Sequence, residues 1–179
     1  MLCNITELAS RTFLDCTSLE NITLPKNLIK IGDAVFCGCR NLKGINMPNG
    51  VTSIGHEAFS GCSSLTGVTI PDSVISIGQM AFQDCYNLTS ITIPDSVVHI
   101  GCGAFCECRN LTSVNIPDGI TSLESSTFFN CTSLTSITIP DSIVLIEETV
   151  FAGCSNLREV YCKPVVPPIG VDDMFINNA

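Results

Sequence analysis

Proline recurs at Pro25, Pro48, Pro71, Pro94, Pro117 and Pro140, each 23 residues after the last. Phenylalanine keeps the same interval at Phe13, Phe36, Phe59, Phe82, Phe105, Phe128 and Phe151. Cysteine keeps it at Cys16, Cys39, Cys62, Cys85, Cys108, Cys131 and Cys154, and leucine at Leu19, Leu42, Leu65, Leu88, Leu111, Leu134 and Leu157. Four residue types share one period without an insertion or deletion. Such a period marks an array of supersecondary units, each unable to bury its own apolar face and each stacked on its neighbours. A period of 23 residues is too short for a four-stranded propeller blade, so the pattern points to an open solenoid.

The unit starting at Leu88 shows how one turn is built. Leu88, Ile91 and Ile93 are apolar, and the alternation of Ile91 and Ile93 about Thr92 predicts a half-buried strand. Pro94 has no amide hydrogen and ends the ladder. Asp95 and Ser96 supply side-chain oxygens for a turn. Val97 and Ile100 then predict a second short extended segment, and Ala104-Phe105 a single helical or 3₁₀ turn. Two residues after each Phe lie Asp15, Gly38, Gly61, Asp84, Glu107, Asn130 and Gly153. Gly, Asn and Asp tolerate positive φ, so this column is expected to reverse the chain; Glu107 fits it least well.

The 179 residues are 45% hydrophobic and 14% charged, which gives ample material for a core and argues against disorder. A net charge of −9 counts against nucleic acid or an anionic membrane as partner. No apolar run approaches the roughly 18 residues of a membrane-spanning helix, so no membrane insertion is expected. Charge is uneven: residues 44–157 carry ten acidic side chains and one basic one, Arg109.

The whole unit, Leu-Thr-Ser-Ile-Thr-Ile-Pro-Asp-Ser-Val-x-x-Ile-Gly-x-x-Ala-Phe-x-x-Cys, resembles the BspA-like subclass of leucine-rich repeats. The resemblance implies a strand-rich leucine-rich-repeat solenoid of the α/β horseshoe class, right-handed, with a parallel sheet on its concave face. It divides the chain, as one array over 1–179, into a half repeat (1–18), full repeats (19–156) and an irregular C-terminal repeat (157–179). It further implies a cell-surface or secreted protein associated with adhesion, with a protein or glycan of a host or neighbouring cell as partner. No catalytic residues come with the family. The sequence leaves the oligomeric state open.

The strand residues that alternate with the core form two outward columns: Asn21, Gly44, Gly67, Ser90, Ser113, Ser136 and Glu159, and Thr23, Asn46, Thr69, Thr92, Asn115, Thr138 and Tyr161. In leucine-rich repeats such columns make the concave binding face. Asn46, Thr69, Ser90, Thr92, Ser113, Asn115, Thr138 and Tyr161 are therefore the candidate ligand-binding residues, with Tyr161 the one aromatic anchor among them. The columns equally suit a flat sheet without a ligand, which keeps a structural spacer or stalk as the alternative. Asp72, Asp95, Asp118 and Asp141 form a further column, read as turn formers bonding their own backbone.

The ladder cysteines read as small buried hydrophobes that stay unbonded, because parallel inward side chains do not suit the disulfide dihedral. Cys162 takes the place of a strand Ile and is expected in the core. Cys102, Cys106 and Cys108 cluster locally, yet only His99 lies near in sequence and no second ligand pair completes a zinc site. No metal or cofactor is expected. Phosphate loops, metalloprotease and nucleophile-elbow motifs do not occur.

Overall fold

In the computed structural model, the described residues are 4–163 together with Ile169–Gly170. Each 23-residue turn contributes two short strands. The first series comprises β3 (Gly44–Asn46), β5 (Gly67–Thr69), β7 (Ser90–Thr92), β9 (Ser113–Val114), β11 (Ser136–Ile139) and β13 (Glu159–Cys162). The second comprises β1 (Glu7–Leu8), β2 (Lys30–Ile31), β4 (Ser53–Ile54), β6 (Ser76–Ile77), β8 (His99–Ile100), β10 (Ser122–Leu123), β12 (Leu145–Ile146) and β14 (Ile169–Gly170). Every pairing is parallel, and all but the last join equivalent residues of adjacent turns, as in Val68 opposite Ile91 and Ile54 opposite Ile77. The last pair departs from that register by one residue, Ile146 meeting Gly170. At the other end the strand expected after Leu19 is reduced to a single bridge between Thr23 and Asn46.

The strands are short because the sequence interrupts them. Behind each first strand, Pro is followed by a turn closed by the amide of the residue three further on, as in Val74 N to Pro71 O at 3.0 Å. Two serines of these turns reach the previous turn of the solenoid: Ser73 Oγ donates to Val51 O at 2.6 Å and Ser96 Oγ to Val74 O at 2.7 Å. The turn aspartates do not take the backbone bonds expected of them. Among the described residues no hydrogen bond reaches Asp72, Asp95, Asp118 or Asp141, and all four are exposed.

The third side, around the Phe ladder, corrects the expectation of a helical or 3₁₀ turn; no residue there is helical among those described. Its amides alternate in direction. Glu57, Phe59 and Gly61 donate to Gln79, Ala81 and Gln83 of the next turn, all at 2.8 Å. Ala58, Ser60 and Cys62 donate three residues back, to Gly55, Glu57 and Phe59. This alternation requires positive φ twice per turn, which no helix accommodates. One position is the expected column two residues after Phe, Glu107 included at φ 61°. The other lies two residues before Phe and is filled by Arg11, Ala34, Glu57, Met80, Gly103, Ser126 and Thr149.

Inside, the Phe rings stack along the whole array with centroids 5.2 to 5.7 Å apart. The ladder cysteines from Cys39 to Cys154 are fully buried. They do more than fill space: each Sγ donates to the carbonyl of the Phe in the preceding turn, as in Cys85 to Phe59 O at 3.2 Å and Cys108 to Phe82 O at 3.1 Å. Eleven cysteines, all those described, are free thiols. Two depart from the expected burial. Cys16 is exposed. Cys162, expected in the core, is exposed with the rest of β13, the outer strand of its two-stranded sheet.

Strand pairing is interrupted once in each series. The sheet β1-β2-β4-β6-β8 ends at β8, and β10-β12-β14 form a separate one. In the other series β3-β5-β7-β9 are separate from β11-β13. The first break coincides with the end of a glycine column. Gly78 approaches the turn beneath so closely that a Cβ on it would lie 2.6 Å from Gly55 C and His56 N. Glu124 holds the equivalent place two turns later and cannot make that approach. Its carboxylate instead accepts the Cys102 amide at 2.7 Å, and Glu147 does the same for Ser125 at 2.9 Å. Part of the acidic excess thus serves the backbone and is not a free surface charge.

Candidate functional site

The first strand series brings most of the candidate residues together. Asn46, Thr69 and Thr92 are directly opposite one another along β3, β5 and β7. Ser90 is opposite Ser113, and Thr138 is opposite Tyr161. The alternation that placed them follows from the pleat: Ile91 and Ile137 between them are buried while Ser90, Thr92 and Thr138 are exposed or half-buried neighbours on the outer face. The Tyr161 ring is 55% exposed and its hydroxyl donates to Glu159 Oε2 at 2.7 Å.

Asn115 behaves differently from the threonines of its column. Its amide folds back onto the backbone of the preceding turn, donating from Nδ2 to Ile93 O at 2.7 Å and accepting from Ile93 N at 2.9 Å through Oδ1. The strand stops at Val114, so this side chain replaces ladder bonds at the place where the series breaks. The columns are therefore a continuous face from Asn46 to Thr92 and a second, short one at Thr138 and Tyr161. Between them lies an open hollow of about 360 Å³ lined by Ser90, Ile91, Thr92, Ser113, Val114 and Asn115.

His99 lies in β8 with its Nδ1 3.5 Å from Glu124 Oε1. Among the described residues no group of three or more His, Cys, Asp or Glu is placed to hold a metal ion. Burial raises the Cys102 and Cys106 thiols, the latter to about 11, so neither is an activated nucleophile.

A second surface cluster escaped the reading of the strand columns. Four residues after the ladder Phe, the repeats carry Thr17, Arg40, Ser63, Tyr86, Arg109, Thr132 and Ser155. This column leads from the Phe turn towards the first strand. The Arg109 guanidinium lies 5.2 Å from the centroid of the Tyr86 ring and its Nε bonds Glu107 Oε2 at 2.8 Å. Glu107 in turn accepts from Asn130 Nδ2 at 2.7 Å. The neighbouring Asp84 carboxylate pushes the Tyr86 pKa up. The signal was in the sequence: two arginines and a tyrosine at a position otherwise Ser or Thr.

Stacked parallel turns with a leucine-rich strand and a Phe ladder, with no helix among the described residues, define a leucine-rich-repeat β-solenoid. The chain belongs to the BspA-type leucine-rich repeat family, whose model matches residues 6–101 and 76–178 in six copies. A leucine-rich repeat protein from Bacteroides ovatus is 34% identical with a TM-score of 0.85; the match covers 87% of this chain and 40% of that one. A T. pallidum leucine-rich repeat protein is 37% identical with a TM-score of 0.83, over 86% of this chain and 72% of that one. The pneumococcal vaccine antigen PcpA, at 21% identity and a TM-score of 0.57, covers 88% of this chain and 48% of its own and shares the fold. The chain thus spans about two fifths of the Bacteroides protein. Among curated proteins no significant sequence match is found.

Proposed function

We propose that this array is a non-catalytic binding or adhesion module, at the cell surface or secreted, that recognises a protein or glycan through its strand face. One observation carries the reading: small polar side chains from successive turns stand in register and outward on one face, from Asn46 through Thr69 to Thr92. Each contact is small, and successive turns present it again about 4.8 Å further on. Affinity then comes from number, which suits an extended or repetitive partner.

The test is a binding screen against immobilised matrix proteins and glycans, repeated with Thr69, Thr92 and Ser113 changed together to Lys. Asn115 is left intact because its side chain holds the backbone. Binding by the native chain should disappear in the triple variant, with stability unchanged within about 0.5 kcal/mol. A triple Gln variant controls for charge. Binding that survives the Lys variant, or that fails instead when Asp95, Asp118 and Asp141 become Asn, removes the strand face as the working surface. A bland spacer would bind nothing in the screen.

A further inference from the structure

The Tyr86 cluster borders a notch that the strand-face reading does not use. About 300 Å³ of open space is lined by Arg40, Gly61, Ser63, Asp84 and Tyr86, residues drawn from three consecutive turns. The floor is low because Ser63 stands in the column where the neighbouring turns carry Arg40 and Tyr86, and beside it Gly61 follows Gly38 in the positive-φ column. Gly61 has φ 70°, and without a side chain it leaves the floor open above the Gly38 backbone. The walls are Arg40 on the N-terminal side and the Tyr86 ring on the C-terminal side.

The two faces of Tyr86 are not equivalent. Arg109, one turn further on, covers one face and is itself held by Glu107. The notch lies on the opposite side, towards Arg40. A cation already over the ring weakens its attraction for a second one, so the notch face is better suited to a C–H surface than to an ammonium group. Around that face the polar groups are of both kinds. Arg40 offers guanidinium donors; among the described residues none of them is committed to an acceptor. Asp84 offers carboxylate oxygens, and Ser63 Oγ, which donates weakly to Arg40 O at 3.3 Å, keeps lone pairs free.

We propose that this notch binds one neutral sugar ring of a glycan, stacked on Tyr86 with its hydroxyls bonded by Asp84, Ser63 and Arg40. A sugar ring is the ligand class that needs an apolar platform on one side and donors and acceptors together at its rim. The volume is at the small end of ligand sites, which fits a single ring and not an extended segment. An anionic ligand would gain Arg40 but meet Asp84 and the net charge of −9. The site lies off the strand face and does not rest on that face being a binding surface.

The experiment titrates the full ¹⁵N-labelled chain with neutral hexasaccharides of glucose, mannose and N-acetylglucosamine, with polygalacturonate as the acidic comparison. At least one neutral sugar should saturably shift the amides of Gly61, Ser63, Asp84 and Tyr86. Tyr86→Ala should weaken that binding about tenfold or more, and Tyr86→Phe should retain most of it. Ser63→Gln, which fills the notch while leaving both walls in place, should abolish it. Thr69→Lys with Thr92→Lys should leave it unchanged, which separates this site from the strand face. The proposal is overturned if no neutral sugar moves these amides, if only polygalacturonate does, or if Tyr86→Ala binds as the native chain does.

Discussion

A ladder cysteine meets two demands at one position. Its side chain must be small enough for a fully enclosed site, and it must offer a hydrogen to the Phe carbonyl of the turn beneath. Phe59 O already accepts the Cys62 amide at 3.1 Å, so the Cys85 thiol is a second donor to the same oxygen. Burial then pushes the thiol pKa up: to about 11 at Cys39, about 12 at Cys154, and well above 9.0 at Cys85, Cys108 and Cys131. The unfolded chain ionises these thiols near 9.0 while the folded one holds their protons, so the unfolded state binds fewer protons above that pH. Their contribution to stability is complete below pH 9 and is lost as pH rises towards the folded values. Urea midpoints should be level from pH 7 to 8.5 and fall steeply above 9. Each fully buried thiol should remove about 1.4 kcal/mol per pH unit. Replacing Cys85, Cys108 and Cys131 with Ala should flatten the fall. A level profile through pH 10.5 would show that these thiols do not titrate as buried groups.

At the scale of the element, the glycine column decides how closely one turn sits on the next. Gly78→Ala puts a methyl against the backbone of Gly55 and His56, with no flexible atom to give way. It should cost about 2–3 kcal/mol in chemical denaturation. Gly67→Ala, where nothing lies within 4 Å, should be neutral or stabilise by up to about 1 kcal/mol. Equal effects from the two would mean that the turns are not in this close contact. Here the limits of sequence reading are physical. The strand alternation, the Pro stop and the positive-φ column after Phe were legible because particular residue types serve each. The second positive-φ column was not. Arg11, Ala34, Glu57, Met80 and Thr149 carry no preference for that conformation, and the alternating bonds to the next turn impose it. Asn115 shares its column with Thr92, and only the position of the Ile93 backbone shows that its amide turns inward. Glu124 stands out in sequence as the end of a glycine column, but its effect on the sheet depends on a distance between main chains.

For the molecule as a whole, fold and surface both descend from one register. The Phe stack, the thiol bonds and the outward strand columns each repeat because equivalent atoms of adjacent turns are 23 residues apart. In such a stack each turn interacts with its two neighbours only, so a turn is removable if the register is kept. Deleting residues 65–87 joins Ser64 to Leu88 and leaves Phe59 to stack on Phe105. Deleting 65–86 removes one residue fewer and puts every later side chain out of step, strand residues changing faces. Far-UV circular dichroism with urea denaturation of the two deletions compares them directly. The 23-residue deletion should keep the native spectrum per residue and a single cooperative transition at reduced stability, while the 22-residue deletion should lose both. Two deletions that fold equally well, or fail equally, would contradict an array built on that register.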